Sequence, residues 1–357
     1  MRVIVSGGCG FIGSAVIRQG LQDPAKEILN LDKLTYAAMP EAVEAEAGGG
    51  KYAFEPIDIC EIEGLDQAFR AFQPDYVIHL AAESHVDRSI DGPSPFIQTN
   101  IFGTYALLEA TRRYLDHSTQ AKRDGFRFLH VSTDEVYGSL RLNAPRFTEA
   151  SAYDPRSPYA ASKAGSDHLV RAWFETYGVP AIITNCSNNY GPWQFPEKLI
   201  PVMIINAFDQ QPLPVYGAGQ NVRDWLHVED HARALWRVLE AGQVGETYNI
   251  GGNAERQNID VVRSICALLD ERFPARAPHA RLIEFVADRP GHDLRYAIDA
   301  SKIRNDLGWQ PQVDFETGLA ATVDWYLAHE DWWRAIRGQR YDGRRLGAVQ
   351  ASAPAAE

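Results

Sequence analysis

The sequence predicts an α/β protein, a doubly wound parallel sheet carrying a smaller C-terminal lobe. Three observations lead there. Short apolar runs alternate with helix-spaced segments through the first half, as repeated strand–helix–strand units require. A glycine-rich turn (Gly7, Gly10, Gly13) stands directly between the first apolar run and the first helical one. Beyond about Asn188 the rhythm breaks into segments punctuated by Pro and Gly, with shorter helices.

In chain order, residues 3–5, 28–31, 76–80, 128–131 and 181–184 read as buried strands. Residues 12–21, 65–72, 100–114 and 159–177 between them have helical spacing. In the second half, helices are expected near 199–208, 228–240, 259–270 and 316–329. The division expected is a sheet domain over residues 1–187 and a lobe built mainly from 188–343, with later segments able to return to the sheet. Residues 344–357, ending in Ala-Ser-Ala-Pro-Ala-Ala-Glu, are expected to form a disordered tail. Trp332 and Trp333 are expected to pack in a core.

The chain has 357 residues, 45% apolar and 23% charged, which is enough to bury a sizeable core. Its formal net charge of -12 argues against a nucleic-acid binder, whose footprint is basic. Cys9, Cys60, Cys186 and Cys266 form no C-x-x-C pair, so neither a metal site nor a redox pair is indicated. The N-terminal residues enter a strand at once, and no apolar run nears the roughly 20 residues of a membrane helix. A cytoplasmic protein without membrane contact is expected.

The glycine turn carries chemistry. A pyrophosphate needs close backbone approach and free N–H groups at a helix N-terminus, and glycines allow both. Asp32 closes the second strand about 20 residues on, where a carboxylate can accept from adenosine ribose hydroxyls. A carboxylate there favours NAD over NADP, because it repels a 2′-phosphate. This arrangement is that of a Rossmann-type dinucleotide fold. Further on, Ser157 and Pro158 suit a helix start, which places Tyr159 in the first turn and Lys163 one turn later on the same face. A nearby ammonium would help such a tyrosine ionise.

Together the glycine loop, Asp32 and the Tyr159/Lys163 pair resemble the extended short-chain dehydrogenase/reductase superfamily, over nearly the whole chain to about His329. That resemblance implies bound NAD and a lobe that takes a nucleotide sugar. It assigns Phe11, Ile12, Lys33, Leu34, Thr35, Asp58, Ile59, Leu80, Ala81, Ala82, Thr99 and Asn189 to the cofactor beside the motif residues, and Ser84 to cofactor and sugar. It assigns Asn188, Lys198, Leu199, Pro214, Val215, Tyr216, Arg223, Asn258, Asp288, Arg289 and His292 to the substrate. For Arg223 and Arg289 there is a physical reason: planar guanidinium groups suit a diphosphate.

Thr133-Asp134-Glu135 follows the strand at 128–131, on the sheet edge where ligands bind. Redox chemistry at carbon 4 of a sugar needs only the tyrosine. Eliminating water across carbons 5 and 6 needs a base and an acid, and adjacent carboxyl groups supply both if their pKa values separate. The motif resembles that of dTDP-glucose 4,6-dehydratases, which implies Asp134 as proton donor, Glu135 as proton acceptor, Thr133 on the carbon 4 oxygen, and a homodimer joined through the helices at 100–114 and 159–177. Alternatives on this scaffold are the same reaction on UDP-glucose, an epimerase, a decarboxylase, or a non-catalytic NAD sensor. The chain departs from the family at Tyr36-Ala37-Ala38-Met39-Pro40, which lacks the usual Gly-Asn after the tyrosine.

Overall fold

The computed structural model describes residues 1–44 and 48–341; the expected tail lies outside the described residues. The strands are β1 (Arg2–Ser6), β2 (Glu27–Leu31), β3 (Lys51–Glu55), β4 (Tyr76–His79), β5 (Arg127–Thr133), β6 (Ala181–Cys186), β7 (Asn188–Tyr190), β8 (Leu213–Tyr216), β9 (Val222–His227), β10 (Thr247–Ile250), β11 (Glu255–Gln257) and β12 (Ile283–Val286). Among the described residues the main sheet has seven parallel strands in the order β10-β6-β5-β4-β1-β2-β3. The order reverses between β1 and β4, and a crevice opens there at the carboxyl ends of the strands.

Strand periodicity explains why both sheet faces are covered. Val3 and Val5 point to one face, where Val16 and Ile17 of the helix Phe11–Leu21 meet Leu235 and Val238 of the helix Val228–Ala241. Ile4 points to the other face, among Phe69, Leu107 and Phe128. Each of these side chains is essentially buried. Trp236 ties the first face together, donating from Nε1 to the Val16 carbonyl at 3.0 Å.

The long helix Pro158–Tyr177 begins as its sequence requires. Ser157 Oγ accepts from Ala160 N at 3.1 Å, Pro158 fills the first turn, and Gly178 ends the helix in the left-handed conformation at φ 66°. The helix expected at 100–114 differs. Ile97–Gly103 is a π-helix, and the α-helix starts only at Thr104 and runs to Asp116. The wider turn carries Asn100 inward, where its amide donates to the Glu83 carbonyl at 3.0 Å and Ser162 Oγ at 2.8 Å and accepts from Glu83 N at 2.9 Å. Helical periodicity does not encode that lateral clamp. Such π-turns recur where a helix serves a site.

The lobe contains a three-stranded sheet, β11-β9-β7, and the parallel pair β12-β8. Leu199–Phe208, Asn258–Arg272 and Phe315–Ala328 pack over it, with Met203, Ile265, Leu319 and Trp333 in one core. The chain re-enters the main sheet at β10, beside β6. Among the described residues, no helix is long and apolar enough to cross a membrane.

Candidate active site

The crevice between β1 and β4 is a cleft of about 1560 Å³, its solvent-filled mouth included. Its floor is backbone. Gly7 has φ 76°, and a Cβ there would lie 2.5 Å from Ala81 N; a Cβ on Gly13 would lie 2.2 Å from the Gly7 carbonyl oxygen. Only glycine lets these segments close so tightly. Asp32 accepts from Cys9 N at 2.9 Å and Leu34 N at 2.8 Å. Burial raises its pKa, and these two backbone bonds oppose that rise. Lone pairs remain on both oxygens for an outside donor. Lys33 Nζ donates to Asp58 at 3.2 Å and Thr99 Oγ1 at 3.4 Å, which closes the adjoining rim.

Of the residues assigned to the cofactor, Gly7, Gly10, Phe11, Ile12, Gly13, Asp32, Lys33, Thr35, Asp58, Ile59, Leu80, Ala81, Ala82, Ser84, Thr99 and Asn189 line this cleft. Leu34 does not: its side chain is exposed, and its part is the N–H given to Asp32. A tight glycine floor, a helix N-terminus and a two-oxygen acceptor at the far end fit an adenine dinucleotide.

The opposite wall holds Thr133, Glu135, Tyr159 and Lys163. β5 ends at Thr133, and a 3₁₀ turn over Asp134–Tyr137 follows, its first N–H groups tied back as Thr133 Oγ1 accepts from Glu135 N at 3.3 Å. Burial pushes the Tyr159 hydroxyl well above its usual pKa; the Glu135 charge adds to the rise, and a hydrogen bond with Thr133 opposes it. Lys163 Nζ donates to the Val131 carbonyl at 2.9 Å, and burial lowers its pKa. In this state, then, burial outweighs the expected easing of tyrosine ionisation.

The two acids sit in different fields. Burial drives Asp134 well above the carboxylate range, and the like charges of Glu135 and Asp224 drive it further. Burial also raises Glu135, but three cations, Arg289, Arg223 and Lys198, pull it back. Both carboxyls are thereby pushed up, Asp134 the further of the two, so Asp134 holds its proton more firmly than Glu135 does. Asp134 is 2% exposed and stands behind the cleft wall rather than on it.

The cations are themselves held. Arg289 Nη1 donates to Asp87 Oδ1 at 2.8 Å, and Tyr216 donates to Asp87 Oδ2 at 3.0 Å. Arg223 Nη2 donates to the Asp293 carbonyl at 3.0 Å, and its guanidinium lies 4.2 Å from the Tyr296 ring centre. Lys198 Nζ donates to the Ser84 carbonyl at 3.0 Å, and His292 Nδ1 meets Asp288 Oδ1 at 2.5 Å. Asp134 Oδ2, Glu135 Oε2, Asn188 Oδ1, Asn258 Oδ1 and Arg289 Nε are buried with no hydrogen-bond partner among the described residues. Buried polar atoms in that state are suited to receive a polar ligand.

Sequence reasoning and structure part in places. Asn188 and Lys198 line the cleft, whereas Leu199, Pro214, Val215, Tyr216, Arg223, Asn258, Asp288, Arg289 and His292 stand outside its wall on the lobe side. Val215 is buried in the lobe core, so its side chain serves packing. Sequence reasoning did not single out Asp87 or Asp167. Asp167 lies one turn beyond Lys163, and that i+4 spacing was the available signal. It is buried and accepts from Ser132 Oγ at 2.8 Å, Tyr153 Oη at 2.9 Å and His130 Nε2 at 3.0 Å. Burial lowers the His130 pKa to about 4, so the ring is neutral at pH 7.

Residues 4–322 match the family model described as GDP-mannose 4,6 dehydratase. The chain belongs to this family. It is 57% identical over 350 residues to a dTDP-glucose 4,6-dehydratase of Neisseria meningitidis serogroup B, covering 97% of this chain and 99% of the relative. A crystal structure of a dTDP-glucose 4,6-dehydratase from Streptomyces venezuelae, with NAD bound, superposes with a TM-score of 0.86 at 43% identity, covering 94% of this chain and 100% of that one. A UDP-glucose 4-epimerase of Thermus thermophilus in complex with NAD superposes at 0.80 and 29% identity, over 92% of this chain and 100% of that one. The family scaffold therefore carries more than one reaction, and the side chains facing the sugar must decide between them.

Proposed function

We propose that this enzyme converts dTDP-glucose to dTDP-4-keto-6-deoxyglucose, with NAD as a cofactor that ends each cycle as it began. The observation that carries the reading is the unequal push on two adjacent carboxyls, Asp134 driven well up and Glu135 drawn back by three cations. Oxidation at carbon 4 alone needs no such pair, whereas elimination across carbons 5 and 6 needs both members.

Held by the glycine floor and Asp32, NAD would supply the hydride chemistry, as acceptor for the carbon 4 hydrogen and donor to carbon 6. The chain's own residues move the protons. Tyr159 takes the proton of the carbon 4 hydroxyl, and Thr133 holds that oxygen. A buried phenol pushed upward in pKa needs a positive neighbour to act as a base, and Lys163 and the oxidised ring of the cofactor supply one. The resulting ketone acidifies carbon 5. Glu135, kept ionisable by Arg289, Arg223 and Lys198, removes that proton. Asp134, kept protonated by burial and its like-charged neighbours, gives its proton to the departing carbon 6 hydroxyl, which leaves as water. A proton then returns to carbon 5.

Arg223 and Arg289 are assigned to the diphosphate, Asn188 and Lys198 to the sugar side, and the Pro214–Tyr216 stretch to the nucleoside. A homodimer is the proposed assembly. Ile97, Phe102 and Tyr177, large apolar side chains beside the helices Thr104–Asp116 and Pro158–Tyr177, are 48%, 39% and 48% exposed, as a two-fold four-helix contact would require. The cytoplasm is the proposed location. Incubation with dTDP-glucose and UDP-glucose in parallel tests the assignment: faster formation of a 4-keto-6-deoxy product from dTDP-glucose supports it, and preference for UDP-glucose would reassign the donor.

A further inference from the structure

The segment following Asp32 is fastened beside the cleft, whose wall Thr35, Ala37, Ala38 and Glu197 help to line. Tyr36 donates its hydroxyl to Glu197 Oε1 at 2.8 Å, and Arg88 Nε donates to Glu197 Oε2 at 3.0 Å. The Arg88 guanidinium lies 3.9 Å from the Tyr36 ring centre, and the Phe195 ring meets Tyr36 edge-on at 5.5 Å. The Glu197 side chain is 3% exposed although it faces a solvent-filled cleft. These residues come from three separate stretches. Tyr36 follows Asp32 and Thr35 on the cofactor side, Arg88 follows the wall segment Leu80–Ser84, and Glu197 precedes Lys198 on the lobe side.

The C-terminal side of the Tyr36 segment is also anchored from outside the cleft. Met39 N donates to the Cys9 carbonyl at 2.7 Å, Arg340 Nη1 donates to the Ala38 carbonyl at 2.7 Å, and Trp332 Nε1 donates to Glu41 at 3.1 Å. Tyr36 is thus held as a strut, with Glu197 as its fastening.

We propose that Glu197 is a positioning residue: with Tyr36 and Arg88 it forms a clasp over the dinucleotide cleft that slows cofactor exchange. The inference rests on the reading that this cleft holds NAD. A cofactor regenerated within each turnover has no need to leave, and its escape at mid-cycle would strand a sugar oxidised at carbon 4. A closed clasp is therefore compatible with turnover here, whereas an enzyme that must release its cofactor in every cycle could not keep one.

Exchange of bound NAD for isotopically labelled NAD, measured on purified full-length parent, Tyr36→Phe, Glu197→Gln and the double variant, tests this. Losing charge-assisted hydrogen bonds should speed exchange by roughly 10- to 100-fold in Glu197→Gln and by less in Tyr36→Phe, which keeps the ring. Association should accelerate along with dissociation, so affinity moves less than rate; a purely structural defect would lower affinity without faster entry. The double variant should exchange no faster than Glu197→Gln alone. Thermal unfolding checks that each variant is folded, and Tyr36→Phe, which only removes a hydroxyl, stands if Glu197→Gln does not fold. Exchange within twofold of the parent in folded variants would overturn the clasp while leaving the cofactor reading intact. A parent that binds no NAD would overturn both.

Discussion

The two ends of the cleft are built from different materials. At the dinucleotide end the floor is backbone, with Gly7 and Gly13 closed against Ala81 and the Gly7 carbonyl, and Asp32 accepts two backbone N–H groups. At the sugar end, ionisable side chains from well-separated stretches (Asp87, Asp134, Glu135, Lys198, Arg223, Arg289) set one another's protonation under burial. The first end works by shape and the second by field. Substitutions should separate accordingly, with changes at the glycine floor harming fold and binding and changes among the acids harming chemistry in an intact fold.

The largest effects belong to the chemical end. Glu135→Gln should lower product formation by roughly 10²–10⁴-fold, the usual worth of a positioned base. Solvent deuterium incorporation at carbon 5 should fall with it, while the melting temperature holds. Undiminished incorporation would remove Glu135 from its role. Tyr159→Phe should cost a similar factor but act earlier, stopping oxidation at carbon 4 while NAD binding, followed by calorimetry, stays within a few-fold of the parent.

At the other end, Gly13→Ala tests shape. Its Cβ would sit 2.2 Å from the Gly7 carbonyl oxygen, and backbone cannot swing aside as a side chain can. We expect destabilisation of about 1–3 kcal/mol by denaturant titration, with weakened NAD binding. A variant as stable as the parent would show the floor to be looser than the structure has it.

Arg289→Gln sharpens the field argument without touching either acid. In the proposed cycle Glu135 works as an ionised base and Asp134 as an acid, so activity is lost as pH falls through the Glu135 pKa. Arg289 is the first of the charges holding that pKa down. Removing it should shift the acidic limb of the pH–rate profile upward. Asp134 works protonated, so activity is lost as pH rises through its pKa, and the alkaline limb should move less. Smallest of all, Ser157→Ala removes the helix cap beneath Tyr159 and should cost about 1 kcal/mol of stability, read by thermal unfolding, with the chemistry retained.

The same contrast explains what could be read from the chain. The dinucleotide end is encoded in contiguous patterns: glycines between strand and helix, and an acid at the next strand end; the tyrosine and lysine of the opposite wall stand one turn apart on a helix. Local geometry fixes those, and the parallel sheet followed from alternation. The sugar end is assembled by tertiary contact. Asp87 was not singled out because its importance lies in Arg289 and Tyr216, each more than 100 residues away. Asp167 shares the helix of Lys163 but takes its meaning from Ser132, Tyr153 and His130. The π-turn at Ile97–Gly103 stayed hidden because periodicity reports a buried face, not a clamp reaching sideways.

The most direct test follows one hydrogen. Substrate carrying deuterium at carbon 4 should give product carrying it at carbon 6, with no reduced cofactor accumulating in solution, because hydrogen on a ring carbon of the reduced cofactor does not exchange with water and is used before that cofactor leaves. Proton NMR and mass spectrometry of the product locate the label. Deuterium at carbon 6 is the result this account predicts, and deuterium returned to carbon 4 or released on the cofactor would contradict it.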